Sequence, residues 1–253
     1  MEITVLGSGT ISSSLRRNAS GLAVRTSGTW LLVDMGPGTL RRLCEARIDH
    51  RWIDVVLITH FHPDHVSDLV PYLFASNYEY GERREEPFFI VGPRGLEQFY
   101  EGLVGTYGEW IVPVGERMRM IELHPDRFDV FTHNEVTVQS APAAHRFPCV
   151  SYRIEADGAS VTVSGDTDMN EHLVTLARET DCLICESSLP DGFKVEGHLV
   201  PSEAGRIASA ANAKRLILTH FYPPCDSADV VTEAAGTFDG EIVRAEDLMV
   251  VKI

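Results

Sequence analysis

Four aliphatic-rich runs in this chain stop at a side chain that can bind a metal. VVLIT, residues 55–59, runs into His60; VTVQSAPAA, residues 136–144, runs into His145; VTVSG, residues 161–165, into Asp166; and LILT, residues 216–219, into His220. Short runs rich in valine, isoleucine, leucine and threonine read as strands. In sheets covered by helices, functional groups gather on the loops at the carboxyl ends of strands. Scattered structural residues would not repeat that placement four times. The chain is therefore expected to bring these four strand ends to one edge.

The first run continues as LITHFHPDHVSDL, residues 57–69, which sets His60, His62, Asp64 and His65 within six positions. In an extended segment, side chains two apart point the same way, so His60 and His62 suit one ion. Asp64 and His65, adjacent at the start of a helix, are angled away and suit a second. Imidazoles with a few carboxylates are the donor set Zn²⁺ takes, and Mn²⁺ or Fe²⁺ can use it too. Asp166 offers two oxygens and is the natural bridge. Two ions about 4 Å apart would acidify a shared water and clamp the attacking and leaving oxygens. His50, His124, His133 and His172 lie in polar or loop contexts and are read as surface residues.

The rest of the chain reads as alternating strands and helices. EITVLG, GLAVRT and WLLVDMG are early strands, and DVVLIT is apolar enough to be buried on both faces. DHVSDLVPYLFAS carries Val66, Leu69, Val70 and Leu73 at helical spacing, with a kink or early stop expected from Pro71. Asp157-Gly158 between two β-branched runs signals a hairpin. Helices in NEHLVTLARET and PSEAGRIASAANA alternate with strands in CLICES and RLILTH, and DLMVVKI closes the chain as a strand. No Pro/Gly/Ser-rich linker interrupts this order, so residues 1–253 are expected to form a single α/β domain.

Composition narrows the function classes. A formal charge of −15 over 253 residues argues against broad binding to a polyanion such as DNA. The basic pairs Arg16–Arg17 and Arg41–Arg42 are read as solvated faces. No apolar run reaches the roughly 18 residues of a membrane span, and MEITVLGSGT lacks the features of a signal peptide. The expectation is a cytoplasmic protein without a membrane partner. Five scattered cysteines do not form a disulfide framework, and the pair Cys182 and Cys185 reads as buried, reduced thiol.

THFHPDH, residues 59–65, resembles the H-x-H-x-D-H signature of the metallo-β-lactamase superfamily, and His145, Asp166 and His220 follow in that family's order. LGSGT, NAS and VDMGPGT are similar to the ribonuclease Z branch and the related cyclic phosphodiesterases. The resemblance implies a four-layer αββα sandwich with a dinuclear site in the cleft at the sheet edges. It implies that His60, His62 and His145 hold one divalent ion, that Asp64, His65 and His220 hold the other, and that Asp166 bridges them. Asp34 would be a buried carboxylate bracing the metal loop, and a homodimer is implied as well.

His198, in EGHLVPSEAGRIA, matches the position at which the phosphodiesterase branch carries a histidine against the scissile phosphate. With Asp64 it is counted as catalytic. The expected reaction is hydrolysis of a small or cyclic phosphodiester or an RNA end, through a hydroxide bridging two ions, with zinc the expected metal. The alternative is hydrolysis of an ester, lactone or thioester at the same centre. Small diesters are preferred over tRNA because no long Gly/Pro-rich basic arm is visible and the histidine is followed by LVPSE. ASNYEYGERREEPF, residues 75–88, with Tyr78, Tyr80, Arg83 and Arg84, is read as a loop rather than a lid.

Overall fold

The computed structural model describes residues 1–78, 86–115 and 117–253. Two seven-stranded sheets dominate the described residues. The first is built from β1 (Glu2–Gly7), β2 (Gly21–Arg25), β3 (Trp30–Val33), β4 (Val55–Leu57), β5 (Phe88–Pro93) and β6 (Met118–Leu123). The second holds β7 (Asp129–His133), β8 (Val136–Pro142), β9 (Val150–Ala156), β10 (Ala159–Val163), β11 (Cys182–Glu186), β12 (Arg215–Thr219) and β13 (Glu241–Arg244). The last strand, β14 (Val250–Lys252), returns to pair with β1.

Both sheets follow one plan. In the first, β14, β1, β2 and β3 are antiparallel, and β3 through β6 are parallel. In the second, β7 through β10 are antiparallel, and β10 through β13 are parallel. Two antiparallel steps from β8 through β9 to β10 leave β8 and β10 running the same way. The carboxyl ends of β8, β10, β11 and β12 therefore meet one edge. The β9–β10 hairpin turns on Asp157 and Gly158 at φ 56° and 72°. Positive φ at both central residues matches the right-handed twist of the strands.

Strand alternation sorts the core into two layers. Leu31, Val33, Val55 and Leu57 face the second sheet, among Val138, Tyr152, Ile154, Val161 and Ile184. Their neighbours Leu32, Val56 and Ile58 face outward against Leu43, Leu69, Leu73 and Leu96, which lie on or beside the helices α1 (Thr39–Glu45), α2 (Pro63–Val66), α3 (Leu69–Tyr78) and α4 (Leu96–Tyr107). Helices α5 (Glu171–Leu176), α6 (Pro201–Ala210) and α7 (Val230–Ala235) cover the second sheet. The result is the expected αββα order. β4 is apolar on both faces because both of its faces are covered. No helix among the described residues is long and apolar enough to cross a membrane.

Several local expectations change. The helix expected from residue 64 onward is two helices, separated at Ser67 and Asp68, and Pro71 stands in the first turn of α3, where its missing N–H is harmless. Asp68 caps elsewhere, accepting from the amides of Gly38 and Leu40. Arg17 is not solvated: its guanidinium is largely buried, bonds Asp226, Ser8 and the Ala245 carbonyl, and lies over the Phe221 ring. Arg42 reaches Asp247 at 2.9 Å. His50 is buried, edge-on to Tyr72, rather than at the surface. Cys182 and Cys185 are buried free thiols. Three apart on a strand, they point to opposite faces, and burial pushes Cys182 up to about 12. Residues 75–78 belong to α3, while Tyr80, Arg83 and Arg84 lie outside the described residues.

Candidate metal centre

The two sheets touch where β4 ends. Thr59 accepts from the Val150 amide at 3.0 Å, His60 bridges to Cys149, and the Tyr152 hydroxyl donates to the Ile58 carbonyl at 2.7 Å. This contact sets the loop carrying His60, His62, Asp64 and His65 against the carboxyl ends of the second sheet. Gly165 makes the approach geometrically feasible. It sits at φ 58°, and a Cβ there would meet the Thr59 Cβ at 2.9 Å.

Two groups of donors converge. His60, His62, His145 and Asp166 form one group, and Asp64, His65 and His220 the other, with the offered atoms of each group within 4.8 Å of one another. Asp166 stands between them. Its Oδ2 lies 3.7 Å from Nε2 of His60 and 3.9 Å from Nε2 of His145. Its Oδ1 lies 3.3 Å from Nε2 of both His65 and His220. Nε2 of His220 is 3.7 Å from Asp64 Oδ2. His198 joins the cluster too, with an atom within 4.8 Å of Asp166 and His220.

The hydrogen bonds outside the cluster decide which nitrogens face inward. Thr59 Oγ1 donates to Asp34 Oδ2 at 2.8 Å and therefore accepts from Nδ1 of His60 at 3.0 Å. His65 donates through Nδ1 to Asp34 Oδ2 at 2.7 Å, and His145 through Nδ1 to the Gly197 carbonyl at 2.8 Å. Ser188 Oγ donates to Glu186 Oε2 at 2.6 Å, so it accepts from Nδ1 of His220 at 3.0 Å. His198 donates through Nδ1 to Glu186 Oε1 at 3.0 Å. Five imidazoles are thus left with an unprotonated Nε2 in their neutral form, and outer acceptors hold each ring at its orientation. Asp34 and His220 both hold left-handed backbone, at φ 57° and 61°. Such conformations cost on the order of 1–3 kcal/mol and persist where surroundings enforce them.

These donors fit a cation. Nε2 of His60 and Oδ1 of Asp166 are buried without a hydrogen-bond partner, a costly arrangement for polar atoms. Nε2 of His65 faces Nε2 of His220 at 3.3 Å, and Nε2 of His145 faces Nδ1 of His62 at 3.3 Å. Two nitrogen lone pairs at such a distance repel unless a proton or a metal lies between them. Electrostatics agree. Burial pushes the Asp166 carboxyl up, but the surrounding His220 and His65 outweigh it and hold it well below the usual carboxylate range. Burial lowers His60, which is held far below an ordinary imidazole. Burial also disfavours the charged form of His65, yet Asp166 and Asp34 outweigh it and raise it well above the usual value. A metal at Nε2 would supply the positive charge those two carboxylates select for.

The structure thus brings together every residue singled out in the sequence: the seven donors, His198 and Asp34. Glu186 was missed. It is the last residue of β11, buried, and held by the Thr167 amide at 2.7 Å as well as by Ser188. The strand-end rule that found Asp166 and His220 on either side applies to it equally.

Residues 29–221 match the family described as the beta-lactamase superfamily domain. Ribonuclease Z of Mycobacterium sp. strain KMS is 29% identical over 278 aligned positions, covering 100% of this chain and 96% of that protein. Ribonuclease Z of Methanothermobacter thermautotrophicus is 28% identical over 306, covering 100% and 97%. Among solved structures, the metallo-β-lactamase fold protein YhfI from Bacillus subtilis superposes with a TM-score of 0.83 at 25% identity, over 99% of this chain and 98% of that one. The short form of human tRNase Z gives 0.81 at 27%, over 100% and 99%. This chain belongs to the metallo-β-lactamase superfamily, in its ribonuclease Z-like branch.

Proposed function

We propose that this protein is a metal-dependent phosphodiesterase that cleaves at an RNA end, with two divalent ions, zinc foremost, held by the two donor groups. His60, His62 and His145 would hold one ion, Asp64, His65 and His220 the other, and the two oxygens of Asp166 would be shared. When bound, such ions supply Lewis acidity that lowers the pKa of water and takes up charge developing on phosphoryl oxygens. The relatives named ribonuclease Z support RNA as the substrate. The same reading places the protein in the cytoplasm.

The observation that carries the reading is the pairing of His198 with Glu186 beside the cluster. The His198 ring lies 4.8 Å from that of His145 and stacks at 5.8 Å on that of His220. Burial disfavours its charged form, but the hydrogen bond and charge of Glu186 outweigh this and raise its pKa. His198 therefore keeps a proton further toward neutral pH than an ordinary imidazole. With Nδ1 committed to Glu186, the proton on Nε2 is the one available to a departing oxygen. Scission of a P–O bond to ribose needs such a proton, because an alkoxide is a poor leaving group. General acid help of this kind typically contributes about 10²–10⁴-fold.

The test is turnover of bis(p-nitrophenyl) phosphate and of a short RNA with a 3′ extension, with Zn²⁺ or Mn²⁺ supplied. Metal-dependent cleavage of RNA, reduced about 100-fold or more in His198→Ala with metal content retained, is expected. Two bound ions with no cleavage of either diester, and turnover of a lactone or thioester instead, would sink the proposal.

A further inference from the structure

His198 stands on a segment with no buried residue of its own. Between Pro190 and Leu199 no residue is buried, and residues 191–196 are all exposed. Apart from the short 3₁₀ turn Asp191–Phe193 it has no regular structure. Such a segment is expected to open locally at low cost, yet the acid it carries must keep its place.

We propose that Lys194 is the positioning residue that fixes this segment, and with it His198. The inference rests on the reading of His198 as the acid. The Lys194 ammonium meets Asp168 Oδ1 at 2.7 Å, Glu203 Oε2 at 2.5 Å and the His198 carbonyl at 2.5 Å. Three acceptors are the full complement of an ammonium. Each belongs to a different part of the site. Asp168 lies two residues beyond Asp166, its amide donates to the Ala144 carbonyl next to His145, and its Oδ2 accepts from the Gly197 amide at 3.0 Å. Gly197 in turn accepts from His145. Glu203 sits in the first turn of α6, where the same Oε2 accepts from the Val200 amide. One side chain thus ties the loop after β10 and the start of α6 to the backbone of His198, and Asp168 extends the link to the loop after β8.

Lys194 also neutralises two carboxylates that would otherwise face each other. Replacing it by methionine keeps the stem and leaves Asp168 and Glu203 without their shared cation. The segment would loosen, and His198 would drift relative to the leaving oxygen. A displacement of about 1 Å at a catalytic group can cost on the order of 100-fold.

Leaving-group dependence distinguishes positioning of the acid from a general loss of structure. A diester with a ribose leaving group needs the His198 proton, whereas p-nitrophenolate leaves without one. In Lys194→Met, kcat on the RNA substrate is expected to fall about 30-fold, and on bis(p-nitrophenyl) phosphate about threefold or less. Lys194→Met/His198→Ala should be no slower on RNA than His198→Ala alone. Amide hydrogen exchange over residues 194–200 should speed up in Lys194→Met while β11 and β12 stay protected. An equal fall on both substrates, multiplying effects in the double variant, or unchanged exchange would each overturn the proposal. If the wild-type protein cleaves neither diester, the phosphodiesterase reading fails and the proposed role in positioning an acid fails with it; the exchange measurement then decides separately whether Lys194 fastens the segment.

Discussion

Asp34 and His65 form the tightest link between the β3 turn and the candidate metal centre: carboxylate Oδ2 lies 2.7 Å from Nδ1. The same carboxylate accepts from the amide and hydroxyl of Thr59, whose oxygen in turn receives Nδ1 of His60. One buried acid therefore orients one imidazole in each donor group. Outer-shell partners of this kind commonly change metal affinity about 10–100-fold when removed. Asp34→Ala is expected to weaken zinc binding by about that factor at both positions. Competition with a chromophoric chelator measures it. Unchanged affinity at the His60 position would show that Thr59 orients His60 without Asp34.

Glu186 and His198 make a second such link, with a different readout. Glu186→Gln keeps the shape and removes the charge that raises the His198 pKa. The acidic form should then be lost at lower pH, so the basic limb of the activity profile on RNA is expected to move down. Metal content is followed in parallel, because Ser188, which donates to Glu186, also accepts from Nδ1 of the metal donor His220. A basic limb that does not move would assign it to another group.

The strand ends are legible because ladder geometry enforces them: an apolar strand run must end, and the next residue in the chain lies at the sheet edge. That logic locates His60, His145, Asp166 and His220, and it applies equally to Glu186 at the end of β11. Arg17 was illegible for the opposite reason. Its partner Asp226 is 209 residues away, and nothing near Arg17 in the chain signals that its charge is compensated. His50 has the same character, buried against Tyr72 from a different element. Helix α1 leaves little trace in the sequence because Arg41 and Arg42 interrupt its apolar face, leaving Leu43 as its buried leucine. Asp34 and His220 show that some sites require conformations local propensity disfavours.

Gly165 tests the contact between the sheets directly. A methyl group there would meet the Thr59 Cβ at 2.9 Å and its Cγ2 at 3.0 Å, on a backbone held at φ 58°. Both effects oppose alanine, and a left-handed non-glycine residue alone costs on the order of 1–3 kcal/mol. Gly165→Ala is expected to lower stability by about 2 kcal/mol or more and to reduce zinc content, because Asp166 and Thr59 move apart together. Denaturant unfolding with parallel metal analysis checks both. Full zinc content at reduced stability would mean that the loops shift without disturbing Asp166.

Asp64 makes one defined contribution to acid unfolding of the metal-free protein. Burial pushes this carboxyl up, but His220, whose Nε2 lies 3.7 Å away, and the charge of His65 outweigh it, taking the group from 3.8 to about 2. A depressed carboxyl stabilises the fold fully above its unfolded value, and that contribution is lost as pH falls through the folded one. The loss should therefore run between about pH 4 and pH 2. His65 acts in the opposite sense: its raised pKa stabilises the fold below an ordinary imidazole value, and the contribution disappears as pH rises through the folded one. His60 adds to the acid-side loss, since its lowered pKa costs stability as pH falls below an ordinary imidazole value. Chelated protein is thus expected to be most stable near that value, whereas bound metal shifts the optimum upward, because ligands must shed protons to bind it. Thermal unfolding across pH, with and without zinc, measures both curves. Asp64→Asn should flatten the acid limb of the metal-free curve, and an unchanged limb in that variant would assign acid unfolding to other carboxylates.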